Sequence, residues 1–587
     1  MFVARFGEVE DSAKRHVLGT LNNLDEFLQT TLAAWNSPGL AVAVVRDNEI
    51  VYAKGHGYRH YAAKLPFTTR TVFPIASNTK LFTALVAGML VEDGLLTWDS
   101  PIRESVPQIR FFNDALNNTV TLRDMLAHRT GINRHDSMWF RSDLTRAQLF
   151  ERLRYMEPSD PLRQSFVYNN VMYAAAGHAM ELVSGQSWES LVRRRLLDPI
   201  GMCNTVFTMP EVYRKPEYAV PYAEKRGSAE LFELPQNEQM IAAGPGGGLN
   251  SDIEDISRWL RTLINDGALD GVQIVPSAVL KATLAPSVAI PNHMLSIRGW
   301  NEFLNSTYGM GRHTAVYRGH LMTLHGGSLP GVYSQVSYLP VEKLGVAAFV
   351  IGSHCDSLPN MLTFSLYDRL LGLEPTPWSE RFLDIVKRNK EANLAARTKA
   401  AKHRVSDTRP SHRLSDYVGT FEHRLYPDVR IGSTDGTLTF GFRSFVLPLA
   451  HFHYERFDTP DDEVHGKWSV NFSTDPQGEV SALTVTLDEA EATFTRRVGA
   501  VPADVAASLA GVYETPGGFK CEVVQRNDGE LYFVEPGQLD RRLMPYGDLR
   551  FRTPKFSNVI YGFAMEGGKV SGMTITAEEG EYWLKRC

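Results

Sequence analysis

The chain is 587 residues long, with 61 Lys and Arg against 67 Asp and Glu, a formal charge of −6, and 43% hydrophobic and 22% charged residues. That length exceeds what one hydrophobic core holds and sets a prior of about three or four domains, while the composition excludes disordered and fibrous classes. The small net charge, with Lys and Arg scattered rather than clustered, points away from a nucleic-acid partner.

The amino terminus, Met1-Phe-Val-Ala-Arg-Phe-Gly-Glu-Val-Glu-Asp11, lacks the basic start, apolar stretch and small-residue cleavage site of a secretory signal. With Met1 as the true start, a cytoplasmic protein is expected. No apolar run reaches the ~18 residues of a membrane span; the longest, Leu339 to Gly352, is interrupted by Glu342 and Lys343. No membrane partner is therefore expected. Cys203, Cys355, Cys521 and Cys587 are widely spaced and read as reduced thiols rather than as a disulfide framework or zinc site. The sequons at Asn117, Asn305 and Asn471 would matter only in a secreted protein.

From Gly39, the run Leu-Ala-Val-Ala-Val-Val, the turn at Arg46-Asp-Asn-Glu and the run from Ile50 predict a β-hairpin. Ser77 to Asp93 carries Leu81, Leu85, Val86, Met89 and Leu90 at helical spacing and closes on Gly94, which predicts a mostly buried helix. Further helices are predicted over 121–128, 145–156, 170–184 and 253–266. Strands follow at Leu321 to Leu324, Tyr333 to Leu339 and Leu344 to Ile351, and a closing helix from Pro359 to Gly372. This pattern makes an α+β domain over 1–375. Residues 376–410 read as a charged helix, Glu380 to Arg404, with a linker.

Beyond the linker the sequence repeats. Tyr417-Val-Gly-Thr-Phe-Glu422 matches Leu509-Ala-Gly-Val-Tyr-Glu514, Asp435-Gly-Thr-Leu-Thr-Phe440 matches Asp528-Gly-Glu-Leu-Tyr-Phe533, and the segments starting at Gly478 and Gly568 also correspond. Two all-β units, 411–498 and 503–587, are expected, with alternating strands and Asp-Gly turns.

Three short motifs carry chemistry. Ser77-Asn-Thr-Lys80 places a hydroxyl and an amine one helical turn apart, and a partly desolvated amine can serve as the base a serine nucleophile needs. Tyr168-Asn-Asn170 offers a phenol that relays a proton, its pKa lowered by the ammonium, and an amide that holds Lys80 and a substrate carbonyl. His325-Gly-Gly-Ser328 lies on or at the end of a strand, where Gly327 lets a substrate lie against the backbone and the amides of Ser77 and Ser328 are candidates for an oxyanion hole. Taken alone, a Y-x-N is more often a packed aromatic beside a helix cap, and a His-Gly-Gly more often a turn.

Together and in this order the motifs resemble the serine β-lactamase and penicillin-binding-protein superfamily, in particular its class C-like branch of esterases and D-peptidases. The resemblance covers roughly 25–372 and extends to Met125-Leu-Ala-His-Arg-Thr-Gly-Ile132 and Ala243-Gly-Pro-Gly-Gly-Gly-Leu249, segments expected to shape fold and cleft. It implies an antiparallel sheet flanked by helices with a helical subdomain facing it across the active site. The β units resemble the lipocalin-like barrels that accompany some of these hydrolases, and are expected as packed accessory domains whose loops can restrict substrates.

His325 stands where β-lactamases have Lys, which removes a cation for a substrate carboxylate and lowers the expectation of penicillin hydrolysis. Arg312, in Tyr308-Gly-Met-Gly-Arg312, is a candidate substitute cation. The function expected is a serine hydrolase acting through an acyl-Ser77 on a small ester, amide or peptide, of the esterase or D-peptidase type. Acyl transfer, or a non-catalytic penicillin- or ligand-binding protein, are the alternatives. No cofactor is expected, and no metal, since His451-Phe-His453 pairs two imidazoles with no third ligand nearby.

Overall fold

The run Leu40-Ala-Val-Ala-Val-Val45 is apolar at every position, and a strand holds such a run only where both of its faces are covered. The computed structural model describes residues 21–587 apart from 237–239, 241, 292–293, 296–297, 489, 500, 527–528, 548 and 554–557. Met1–Asp11 and Asp528, which carried parts of the sequence reading, lie outside the described residues. After helix α1 (Leu24–Ala34), the apolar run forms β1 (Gly39–Arg46), paired with β2 (Glu49–His60) across a turn whose Asp47 has φ +54°. These strands and β3 (Leu65–Pro66) join β4 (Val288–Ala289), β5 (Phe303–Tyr308), β6 (His313–Tyr317), β7 (His320–Leu329), β8 (Val332–Leu339) and β9 (Leu344–Ile351) in one antiparallel sheet. Its order is β4-β5-β6-β7-β8-β9-β1-β2-β3.

Alternate residues of the central strands enter two different cores. Ala41, Ala43, Val45, Phe349 and Ile351 pack on the side of helix α2 (Thr79–Glu92), which follows Ser77. Leu40, Val42, Val44, Val346 and Val350 pack on the other side. On the α2 side lie α3 (Leu122–Leu126), α4 (Arg146–Arg152), α5 (Asn170–Ser184) and α6 (Ile253–Ile264). The outer side is covered by α1, α7 (Leu358–Leu370) and the first turns of α8 (Trp378–Ala401). Every residue of α2 from Thr79 to Leu90 is buried, as expected of a helix apolar all round, and Phe82 stacks on Trp259 of α6 at 4.0 Å between ring centroids. The charged helix read from Glu380 begins at Trp378, because Trp378 and Phe382 belong to the outer core. Farther along, Lys390 and Arg397 pair with Glu224 and Asp461. Among the described residues no helix is long and apolar enough to cross a membrane.

Each repeat closes an eight-stranded antiparallel barrel. The first comprises β10 (Gly419–Glu422), β11 (Val429–Thr434), β12 (Thr437–Phe442), β13 (Phe445–His453), β14 (Arg456–Asp458), β15 (Ser469–Thr474), β16 (Val480–Leu487) and β17 (Ala490–Arg496). The β11–β12 turn holds Asp435 at φ +49° and Gly436 at φ +76°, the paired left-handed geometry that suits an Asp-Gly hairpin. Phe421, Ile431, Phe440, Leu483 and Phe494 fill its interior. The second barrel, from Gly511–Glu514 to Gly580–Arg586, is filled by Tyr513, Val523, Phe533, Met573 and Leu584. It rests on the first through Tyr546 to Asp475 and Arg550 to Glu479. On β13, the His451 and His453 rings bond to the Tyr454 carbonyl and the Val405 amide.

Candidate active site

Ser77 lies in a 3-10 turn (Ala76–Asn78) that leads into α2. The turn is fixed from several directions. The Ile75 amide donates to the Leu249 carbonyl at 3.0 Å, the Thr79 hydroxyl to the Ala76 carbonyl at 2.6 Å, and the Leu249 amide to the Thr79 hydroxyl at 3.1 Å. Asn78 reaches Ser334 of β8 at 2.8 Å, and Ser334 donates to the Ile75 carbonyl at 2.8 Å. Held this way, Ala76 has φ +47°, a left-handed conformation that costs an alanine about 1 kcal/mol and persists only where neighbours over-determine it.

One turn into the helix, the fully buried Lys80 Nζ has three neighbours: Ser77 Oγ at 3.1 Å, Asn170 Oδ1 at 2.7 Å and the Gly246 carbonyl at 2.6 Å. The last two are acceptors only. A neutral amine has two N–H groups for them and one lone pair left, which faces the Ser77 hydroxyl. Burial pushes the Lys80 pKa well below the usual lysine range; Asp136 opposes the shift and Arg134 adds to it.

The Lys80 ammonium position is 4.7 Å from the Tyr168 ring centroid. Burial raises the Tyr168 pKa, and its hydrogen bond with Ser77 and the Arg134 charge only partly offset this. The sequence reading expected the opposite sign, because it weighed the neighbouring amine and not the loss of water. The phenol is thus held protonated. Its backbone is set by His128, whose carbonyl accepts from Val167 N at 2.8 Å and whose Nδ1 accepts from Asn169 N at 3.0 Å. The Asn169 side chain caps α5 at Val171 and Met172. Asn170 accepts from Lys80 as expected, and one of its two amide N–H groups donates to Asp136 Oδ1 at 3.0 Å.

On β7, His325 Nδ1 donates to the Gly326 carbonyl at 2.7 Å, which leaves Nε2 as the acceptor for the Tyr308 hydroxyl at 2.9 Å. Burial, with His313 and Lys80 adding to it, pushes the His325 pKa far down, so the imidazole is neutral. His313 beside it is pushed down to about 3, by burial and the charge of Arg298. The β6–β7 pairing ends at His313 with Leu324, so among the described residues the β7 edge from His325 to Ser328 has no strand partner on that side. Gly327 serves a different purpose from the one read in the sequence. A Cβ there would lie 2.2 Å from the Ile75 carbonyl, so the glycine admits the protein's own serine turn. Arg312 is also corrected: it is 2% exposed, donates to Tyr338, to the Leu280 carbonyl at 2.8 Å and to Thr283 at 2.8 Å, and does not line the cleft.

The cleft around Ser77 encloses about 800 Å³, and Tyr168, Asn170, His325 and Ser328 line it with Ser77. Trp139, Phe140, Phe166 and Trp300 give it aromatic walls, and Arg134, Asp136 and Arg298 add charge. Two lining residues come from the first barrel. Arg443, at φ +55° in the β12–β13 turn, donates to the Phe140 carbonyl at 3.1 Å. Asp488, at φ +49° after β16, accepts from the Ser137 amide at 2.8 Å and hydroxyl at 3.0 Å. Sequence reasoning missed these two, Asp136 and the Gly246 carbonyl; the Gly-rich segment was the only pointer to the last. Among the described residues no cluster of three His, Cys, Asp or Glu could hold a metal.

A family model described as Beta-lactamase matches residues 24–358, and a Domain of unknown function, DUF3471, matches residues 403–497. The chain is similar to unguisins hydrolase ungD of Aspergillus violaceofuscus, 26% identical over 506 residues that cover 80% of this chain and 89% of that one. It is similar to Protein flp of Staphylococcus aureus strain COL, 25% identical over 331 residues, 55% of this chain and 61% of flp. Among solved structures, the octameric penicillin-binding protein homologue from Pyrococcus abyssi shares the fold, with a TM-score of 0.54 at 23% identity over 81% of this chain and 98% of that one.

Proposed function

The chain belongs to the beta-lactamase family, and from that premise we propose that it is a serine hydrolase that forms an acyl-enzyme on Ser77 and cleaves a small ester or amide, of the esterase or D-stereospecific peptidase type. The observation that carries the reading is the fully buried Lys80 Nζ, held by Asn170 Oδ1 at 2.7 Å and the Gly246 carbonyl at 2.6 Å and 3.1 Å from Ser77 Oγ. Ser77 attacks the substrate carbonyl and its proton passes to Lys80. The amides of Ser77 and Ser328 receive the oxyanion, and as Tyr168 supplies a proton to the leaving alcohol or amine it takes the serine proton back from Lys80, so both groups end in their starting protonation states. Water then attacks the acyl-Ser77 ester, giving a proton to Lys80, which returns it to Ser77 Oγ as the acid is released.

Neutral His325 offers no permanent charge for a β-lactam carboxylate, which disfavours penicillin hydrolysis. Similarity to a protein named for hydrolysing unguisins supports hydrolysis as the outcome. The barrel residues Arg443 and Asp488 limit what reaches the serine, so the barrel takes part in substrate selection. Stopped-flow assays with a p-nitrophenyl ester, a D-alanine p-nitroanilide and nitrocefin test the reading. The expected result is a burst of one product per protein followed by turnover on the ester or the D-anilide, with nitrocefin far slower. Absence of burst and turnover on all three, in protein that melts cooperatively, would contradict it.

A further inference from the structure

A second hollow, of about 1190 Å³, opens between the helical block and the first barrel. Arg152 and Arg154 reach it from the end of α4 and the turn after it, and Arg424 and Arg497 from the barrel. Arg497 takes both carboxylates of the hollow, Glu422 and Asp428, each at 2.8 Å. Arg152, Arg154 and Arg424 have no carboxylate partner among the described residues. An arginine ending a helix, or one hydrated at a surface, is ordinary. Arg152 departs from that, because its buried Nη1 has no hydrogen-bond partner, and an orphaned buried donor costs about 1–3 kcal/mol.

Between the two arginine-bearing walls sits His423, whose Nδ1 accepts from the Leu425 and Tyr426 amides at 3.0 and 3.3 Å, so it adds no carboxylate-like charge. Burial lowers its pKa, and the nearby His135, Arg152 and Arg424 charges lower it further, so arginines from two different domains act on one imidazole, while the two carboxylates of the hollow are bound by Arg497. The same hollow exposes Phe112 and Tyr155, each 43% accessible.

We propose that this hollow is a docking groove for an acidic peptide segment that also carries aromatic or aliphatic side chains. Its carboxylates sit on Arg152, Arg154 and Arg424, and its apolar side chains on Phe112 and Tyr155. The volume exceeds what a lone oxyanion fills, and the positive charge is concentrated in a chain whose net charge is −6. The groove is separate from the Ser77 cleft, and none of the described residues that line one lines the other.

Isothermal titration of the full chain with a capped octapeptide of alternating Glu and Phe tests the proposal, with a Gln-for-Glu peptide as control. The expected result is saturable one-site binding that weakens with salt and falls at least about tenfold in Arg424→Ala and in Arg152→Ala. Arg424 is exposed, so its variant tests the charge without endangering the fold; thermal melts verify both. No binding, equal binding of the Gln peptide, unchanged affinity in both variants, or full displacement by equimolar inorganic phosphate would each overturn it.

Discussion

The Ser77 turn and the first barrel's turns meet in one cleft but are built on different principles. Around Ser77, Lys80, Asn170 and Gly246 form a closed set in which the acceptors are fixed at 2.6–2.7 Å. The barrel side is a rim, where Asp488 and Arg443 hold the backbone of Ser137 and Phe140 without touching the serine's partners. On the proposed mechanism the difference teaches that the reacting groups sit in a tightly bonded local unit, while access to them is set by a distant part of the chain. Substitutions on the serine side should therefore act on kcat and those on the rim on KM.

The largest effect is expected for Lys80→Met, which removes the base while keeping the buried stem. Steady-state ester turnover should fall by about 10³-fold or more in kcat, and a loss seen only in KM would break the division. Asp488→Ala comes next: freeing the Ser137 amide and hydroxyl should raise KM about tenfold and leave kcat within about twofold, as expected when uniform binding is lost. A kcat loss matching that of Lys80→Met would place the barrel inside the chemistry.

How much of this was legible in the sequence depended on range. α5 runs from Asn170 to Ser184 as its periodicity predicts, and the Ser77–Lys80 pair follows from helical spacing alone. Arg312 was misread because its acceptors, Tyr338, Leu280 and Thr283, come from elsewhere in the fold. Gly327 was misread because the group that crowds it, the Ile75 carbonyl, is far away in sequence. The Tyr168 shift needed knowledge of burial, and a backbone acceptor such as Gly246 O has no side-chain signature. Arg443 and Asp488 became visible only when the barrel was docked.

A smaller effect sharpens the serine side. In the proposed mechanism the active form has neutral Lys80, so kcat/KM should be flat at high pH and fall as pH drops through the lowered Lys80 pKa. Asp136 raises that pKa, so Asp136→Asn should move the falling limb to lower pH, as read from pH–rate profiles; a move to higher pH would reverse the assigned electrostatics. The smallest effect tests rigidity. Ala76→Gly relieves φ +47° and should raise stability by about 0.5–1 kcal/mol in denaturant melts. A clear destabilisation would show that the alanine conformation is unstrained.

The most direct test of the account is covalent. A fluorophosphonate probe, followed by intact-mass measurement and peptide mapping, should add one label per chain on the peptide containing Ser77 and none to Ser77→Ala. Labelling that survives Ser77→Ala, or that maps to another residue, would contradict the assignment of the nucleophile.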